Sequence, residues 1–224
     1  MKNKIGIIGG ISHESTMKYY ELIHKKYYEQ NNDYYYPEVV IYSLDFQKFT
    51  DFEDNNNMEG YIEYISSGVR ALVKAGVDFI IMAANSPHSV YEEIEAYSEV
   101  PMISIAEVTA KNAKKRGIKK SLLLGIKYTM QSSFYQNICK KYGIEIIVPI
   151  EKEQDRINEI IFDELTIGII RDDSKTELLK IINNYDVEGV ILGCTELPLI
   201  IKEEDTDTKL LNTVELHVEA VLNY

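Results

Sequence analysis

Short apolar runs alternate with longer stretches of helical periodicity along the whole chain, the pattern of strand–helix units that build parallel sheets. Lys4 to Gly9, Val39 to Ser43, Asp78 to Ala83 and Met102 to Ile105 read as a first set of strands. Helical stretches lie between them, at Glu14 to about Gln30, Met58 to Lys74 and Val90 to Tyr97. The pattern then begins again. Ser121 to Gly125, Ile144 to Val148, Val190 to Gly193 and Lys209 to Leu211 form a second set of strands. Their helices are Gln131 to Tyr142, Gln154 to Ile167, Lys175 to Asn183 and Val214 to Leu222.

The two sets correspond residue by residue. Val77 to Asn85 lies over Val187 to Thr195 without a gap, each segment running from an acidic residue through an apolar strand and a small residue into a polar loop. KIGIIGG at Lys4 likewise matches KSLLLGI at Lys120. A doubled pattern predicts two similar α/β lobes, residues 1–105 with 210–224 and residues 106–209. A single doubly wound sheet is the alternative that periodicity leaves open. Two lobes related by an approximate two-fold would set Ala84-Asn85-Ser86 and Cys194-Thr195-Glu196 just beyond the carboxyl ends of their strands, facing each other across one cleft.

Composition narrows the partners. The chain has 224 residues, 45% apolar and 27% charged, ordinary for a globular protein. Its net charge of −12 repels polyanions, so neither nucleic acid nor an anionic membrane is expected, and a small molecule is the expected partner. No apolar stretch approaches the roughly 20 residues of a membrane span, and the amino-terminal segment runs directly into a strand pattern, so no signal peptide is expected. Two cysteines without a secretory signal predict free thiols inside the cell rather than a disulfide framework.

Cys194 follows an apolar strand and Gly193, which lets backbone or ligand come close, while Glu196 is placed to orient a thiol or a substrate ammonium. A buried structural cysteine is the competing reading; for Cys139, within a helix with aromatic neighbours, packing is the expected role. An ordinary thiol titrates near 8.5, so thiolate chemistry needs donors nearby, and backbone N–H groups around Thr195 and the Asn85 amide can supply them. Such donors also suit a substrate α-carboxylate and the charge that develops on α-carbon deprotonation. Asn85 and Ser86 are short polar groups able to grip a carboxylate, and either could instead cap a helix beginning at Pro87 or His88. Gly9 and Gly10 permit a tight turn with Ser12 at a helix start, but Ile8 breaks the G-x-G-x-x-G dinucleotide fingerprint. Thr129 reads as the N-cap of the next helix, and as the counterpart of the Gly10 to Ser12 loop it is also a candidate for substrate contact. The histidines have no metal-ligand spacing, and no metal is expected. Asp163-Glu164 and Glu203-Glu204-Asp205 read as solvated acidic faces.

These residues resemble a known family. GIIGGISHEST at Gly6 to Thr16, YSLDF at Tyr42 to Phe46, AANSPH at Ala83 to His88, GIKYTM at Gly125 to Met130, IIFDEL at Ile160 to Leu165 and GCTELPLI at Gly193 to Ile200 are similar, in order and over nearly the whole chain, to the aspartate/glutamate racemase family. The resemblance implies two pseudo-symmetric Rossmann-like lobes with mostly parallel sheets, an active-site cleft between them, a cytoplasmic homodimer, and two-base chemistry without pyridoxal phosphate or another cofactor. In two-cysteine members one thiol directly precedes the Asn of the first-lobe loop and the other lies in the GCT block. Carried over by position, the second is Cys194 and the first falls on Ala84, which has no proton to give or take. The implied substrate is aspartate or glutamate, held by Ser12, Asn85, Ser86, Thr129 and Thr195 with Gly10 and Glu196 in support. Related decarboxylases keep only the later cysteine, so a decarboxylase or isomerase of a small dicarboxylate, or a silent carboxylate-binding protein, is the alternative. Certain aspartate racemases carry arginine immediately after the Asp matching Asp45; here Phe46 stands there, which leaves Gln47, Lys48, Lys127 or Arg171 for a second carboxylate.

Overall fold

A computed structural model describes residues 3–55 and 57–224, and these divide into two units, Met1–Ile105 with His217–Tyr224 and Ala106–Leu216. In the first unit the strands β1 (Ile5–Gly9), β2 (Val39–Ser43), β3 (Phe79–Met82) and β4 (Met102–Ile103) form one wholly parallel sheet in the order β2-β1-β3-β4. Helices α1 (His13–Asn31), α2 (Phe46–Asp54), α3 (Met58–Lys74) and α4 (Tyr91–Glu95) connect them, with a 3-10 turn at Ser86–Val90. After α5 (Ile105–Lys115) the design repeats. Strands β5 (Lys120–Leu124), β6 (Glu145–Ile147), β7 (Gly189–Leu192) and β8 (Lys209–Asn212) form a second wholly parallel sheet in the order β6-β5-β7-β8. Its helices are α6 (Lys127–Gln131), α7 (Phe134–Lys141), α8 (Glu151–Glu159), α9 (Asp172–Asn183) and α10 (Leu197–Ile200); α11 (Thr213–Leu222) begins in this unit and belongs to the first from His217 on. Two four-stranded sheets, rather than a single doubly wound one, resolve the alternative that periodicity leaves open.

The central strands β1, β3, β5 and β7 read as apolar runs because both of their faces are covered, whereas the edge strands β2 and β6 are partly exposed. In the second unit Leu122, Leu124, Val190 and Leu192 point into one core with Ile157, Ile161, Leu178 and Ile182, while Leu123 and Ile191 point the other way, onto Ala106, Ala110, Tyr135 and Cys139. That is the two-residue period of a strand with neither face left to water. Each fully buried Leu or Ile contributes roughly 1.5–3 kcal/mol. In the first unit Ile8, Ile80 and Met82 pack with Ile65, Val69 and Leu72 on the apolar stripe of α3.

Several expectations are corrected. The sequence returns the chain to the first lobe at residue 210, but β8 is paired along its length with β7, so 210–216 stay in the second unit and His217 begins the return. The stretch Val90 to Tyr97 is only a short helix, Tyr91–Glu95, preceded by the 3-10 turn. The helix expected over Gln131 to Tyr142 is broken at Ser132 and Ser133 into α6 and α7. The one expected over Gln154 to Ile167 starts at Glu151, then widens into a π turn at Ile160–Glu164 and tightens into a 3-10 turn at Leu165–Ile167. Within it Glu164 is buried rather than solvated, accepting a 2.6 Å hydrogen bond from the Ser174 hydroxyl with Arg156 3.8 Å away. Among the described residues no helix is long and apolar enough to cross a membrane.

Candidate active site

Each sheet reverses its winding next to its first strand: β2 lies on one side of β1 and β3 on the other, and β6 and β7 flank β5 in the same way. Loops leaving the carboxyl ends of the strands at such a reversal part and open a crevice. In the first unit these are the loops after β1 and β3, which carry Gly10, Ser12, Ala84, Asn85 and Ser86. In the second they are the loops after β5 and β7, which carry Thr129, Cys194, Thr195 and Glu196. Matching backbone bonds confirm the internal correspondence, since Ala83 N–H donates to Ile8 O at 2.9 Å and Gly193 N–H to Leu124 O at 2.7 Å. Ala84 and Cys194 therefore follow equivalent strand ends.

In the first unit the chain turns at Gly10 with φ of +83°, its N–H held by the Thr16 hydroxyl at 2.8 Å. A side chain there would strike the backbone of Leu44. Gly10→Ala is accordingly expected to destabilise the protein by roughly 2 kcal/mol or more, read as a lower urea midpoint at unchanged slope. Ser12 is the N-cap of α1, its oxygen accepting from Ser15 N–H at 3.4 Å. The Ser15 hydroxyl donates to Ala83 O, which ties α1 to the end of β3. Asn85 and Ser86 are both buried. Asn85 stands at the N-cap of the 3-10 turn, yet its side chain makes no capping bond, so capping by Asn85 is not what this loop is built for.

In the second unit, a side chain at Gly193 would come within 2.9 Å of Leu124 O, so only glycine lets β7 and β5 lie this close before the chain reaches Cys194. Cys194 is half-buried against the core that contains Met130, Leu165 and Leu197. Its S–H donates to Glu196 Oε2 at 2.8 Å, and the Thr195 hydroxyl donates to the same oxygen at 2.6 Å. Burial first, then the Glu196 carboxylate, push the thiol well above its ordinary range, although the N–H groups of Glu196 and Thr195 act in the opposite direction. The group is therefore held as a protonated thiol. Thr129 is not an N-cap: α6 begins at Lys127, after Ile126, and Thr129 is fully buried within it. Its methyl lies beside Gly193, and its hydroxyl has no hydrogen-bond partner among the described residues. An orphaned buried hydroxyl costs about 1–3 kcal/mol. Cys139, in contrast, is wholly buried, with its thiol pushed up to about 12 by burial alone.

The side chains left for a second carboxylate all have other contacts. Gln47 donates to Asp51 at 2.8 Å, Lys48 sits 4.5 Å above the Tyr64 ring, Lys127 pairs with Asp155 at 2.5 Å, and Arg171 lies 3.9 Å from Glu164. Among the described residues no three His, Cys, Asp or Glu side chains are grouped to hold a metal ion. The sequence leaves His88 and His217 without a role; both are buried in the first unit, with ring centroids 6.2 Å apart. The signal for His88 is its place four residues after Ala84, whose carbonyl it bonds.

Comparison with known proteins agrees with this fold. The Asp/Glu/Hydantoin racemase family model matches residues 8–221. The broad specificity amino-acid racemase RacX of Bacillus subtilis (strain 168) is 35% identical over 161 residues, covering 70% of this chain and 69% of that protein. The crystal structure of a proposed Asp/Glu racemase from Yersinia pestis superposes with a TM-score of 0.93 at 32% identity, over 100% of this chain and 99% of that one. An aspartate racemase homologue from Pyrococcus horikoshii OT3 gives 0.88 at 38% identity, over 99% and 98%. Matched over almost its whole length, the chain belongs to the Asp/Glu/Hydantoin racemase family.

Proposed function

We propose that the protein is a cofactor-independent amino-acid racemase or epimerase that moves the substrate α-proton through Cys194, with aspartate or glutamate as the substrates implied by the resemblance. The observation that carries this reading is the Cys194 S–H donated to Glu196 Oε2 at 2.8 Å. In one direction the thiol gives its proton to the α-carbanion and is left as thiolate; in the other, the thiolate takes the α-proton. Glu196 holds the resting thiol protonated and oriented, and a substrate ammonium beside it would offset its field and favour the thiolate. The orphaned Thr129 hydroxyl, with the Asn85 and Ser86 side chains, supplies donors for the α-carboxylate, Ser12 extends that set, and Thr195, whose hydroxyl is given to Glu196, holds the Glu196 side chain. Gly10 sets the turn that leads to Ser12. A cytoplasmic homodimer acting on a small carboxylate is the setting proposed, on the resemblance.

A racemase must also deliver a proton to the opposite face, and on the resemblance Ala84 falls at the position of the second thiol. Water held by the Ser86 hydroxyl takes that part. The protonated state of Cys194 favours a second reading, one-sided protonation of a carbanion left by loss of CO2 from a small dicarboxylate.

The deciding experiment is α-proton exchange in D2O, followed by NMR on L- and D-aspartate and L- and D-glutamate. Exchange from both enantiomers supports racemisation. Exchange from one enantiomer only indicates one-sided chemistry. No exchange, with CO2 released from a malonate, selects the decarboxylase. Ala84→Cys is expected to raise racemisation about tenfold or more; an unchanged rate counts against Ala84 as the position of a second base.

A further inference from the structure

We infer that His88, which the proton-transfer chemistry does not use, is a positioning residue that holds the Ala84-Asn85-Ser86 loop for substrate through two opposed backbone hydrogen bonds. The inference rests on the racemase reading for the identity of the loop's ligand, and on geometry for the rest. His88 Nε2 lies 3.2 Å from the N–H of Ile105, and Nδ1 lies 3.0 Å from the carbonyl of Ala84. A backbone N–H can only donate, so Nε2 must be unprotonated, and the ring proton sits on Nδ1 and is donated to Ala84. One neutral tautomer satisfies both bonds; a charged ring would set a proton on Nε2 against the Ile105 N–H. Burial, reinforced by the neighbouring His217, keeps the ring neutral by lowering its pKa to about 3.

The surroundings fix the ring further. Tyr91 stacks on it with an interplanar angle of 6°. His217 Nε2 donates to Ile103 O at 2.9 Å, which leaves its Nδ1 to accept from the Tyr19 hydroxyl at 2.9 Å. Tyr19 lies on α1, whose amino end carries Ser12. The loop after β3 is thus tied through His88 to Ile105, and the helix after β1 through Tyr19 and His217 to Ile103. Both substrate-binding loops of the first unit are registered against the same three residues at the end of β4. Displacing a binding group by a fraction of an ångström weakens every contact it makes.

The test compares His88→Leu, which keeps bulk without the bonds, with His88→Asn, which keeps a donor near Ala84 and loses the acceptor for Ile105. Three quantities are measured: thermal unfolding, the KM and kcat for exchange, and the L-aspartate concentration that half-protects Cys194 from iodoacetamide. The last is independent of turnover. His88→Leu is expected to raise KM and the half-protecting concentration about tenfold, with a smaller fall in kcat because Cys194 belongs to the other unit, and His88→Asn to recover part of the loss. If His88→Leu does not fold, His88→Asn alone should raise the half-protecting concentration by a few-fold. Lower melting temperatures with KM and protection unchanged would overturn the inference, leaving His88 as a core residue. Wild-type protein that L-aspartate protects but that exchanges no amino acid would instead sink the racemase reading, with the positioning role still read from protection. Wild-type protein that L-aspartate does not protect would overturn the positioning role itself.

Discussion

Cys194→Ser is expected to slow α-proton exchange by about two to four orders of magnitude, the usual contribution of a positioned general acid or base. The serine hydroxyl can still donate to Glu196, so the local hydrogen bonding survives and stability should change by no more than about 1 kcal/mol. What is lost is acidity, because an alcohol ionises many units above a thiol and can neither give up nor recover a proton at a useful rate near neutrality. Cys139→Ser is the matched control. It sets a hydroxyl into an apolar core beside Ala110 and Leu123, and should lower stability while leaving the rate nearly intact. NMR exchange rates paired with thermal melts separate the two variants. Exchange by Cys194→Ser within tenfold of wild type would remove the thiol from the mechanism.

The strands are legible in the sequence because burial on both faces of a parallel sheet forces runs such as Leu122 to Leu124, and the internal repeat by itself aligns Ala84 with Cys194. The equivalent backbone bonds from Ala83 and Gly193 show why the repeat is informative: each strand end is closed by the same bond to the neighbouring first strand. Glu196 is legible as the partner of the thiol because two residues separate little at the start of a turn. Thr129 is harder to place, since a threonine before a helical pattern looks like an N-cap. Here α6 starts earlier, after an Ile126 that makes no side-chain cap, and turns the threonine inward. Glu164 is misleading because one acidic residue in a charged stretch gives no sign that a π turn rotates it onto Ser174. The histidine pair is out of reach for a different reason. His88 and His217 meet only because the last helix returns to the first unit, and no local period encodes that meeting.

That same pair makes the protein sensitive to acid. In the folded state burial holds His88 neutral down to about pH 3 and His217 down to about pH 4, against an ordinary value of 6.5. The unfolded chain takes up both protons below pH 6.5, and the folded chain cannot, so the stability these groups contribute is complete above 6.5 and falls as the pH drops. Near pH 5 the slope should approach two protons, about 2.7 kcal/mol per pH unit, and the total loss by pH 4 should reach several kcal/mol, a large share of the 5–15 kcal/mol typical of a folded protein. Glu14 and Glu107, whose carboxyls are held below their ordinary range, add to the loss only at the acid end of this window. Urea midpoints measured from pH 7.5 down to about 4.5 give the number of protons directly through the linkage slope. In His88→Asn one titrating ring is gone, and the slope near pH 5 should fall from about two protons to about one. A wild-type profile that stays flat between pH 6.5 and 5 would mean that the two rings are already protonated in the fold. The single neutral tautomer assigned to His88 would then be wrong.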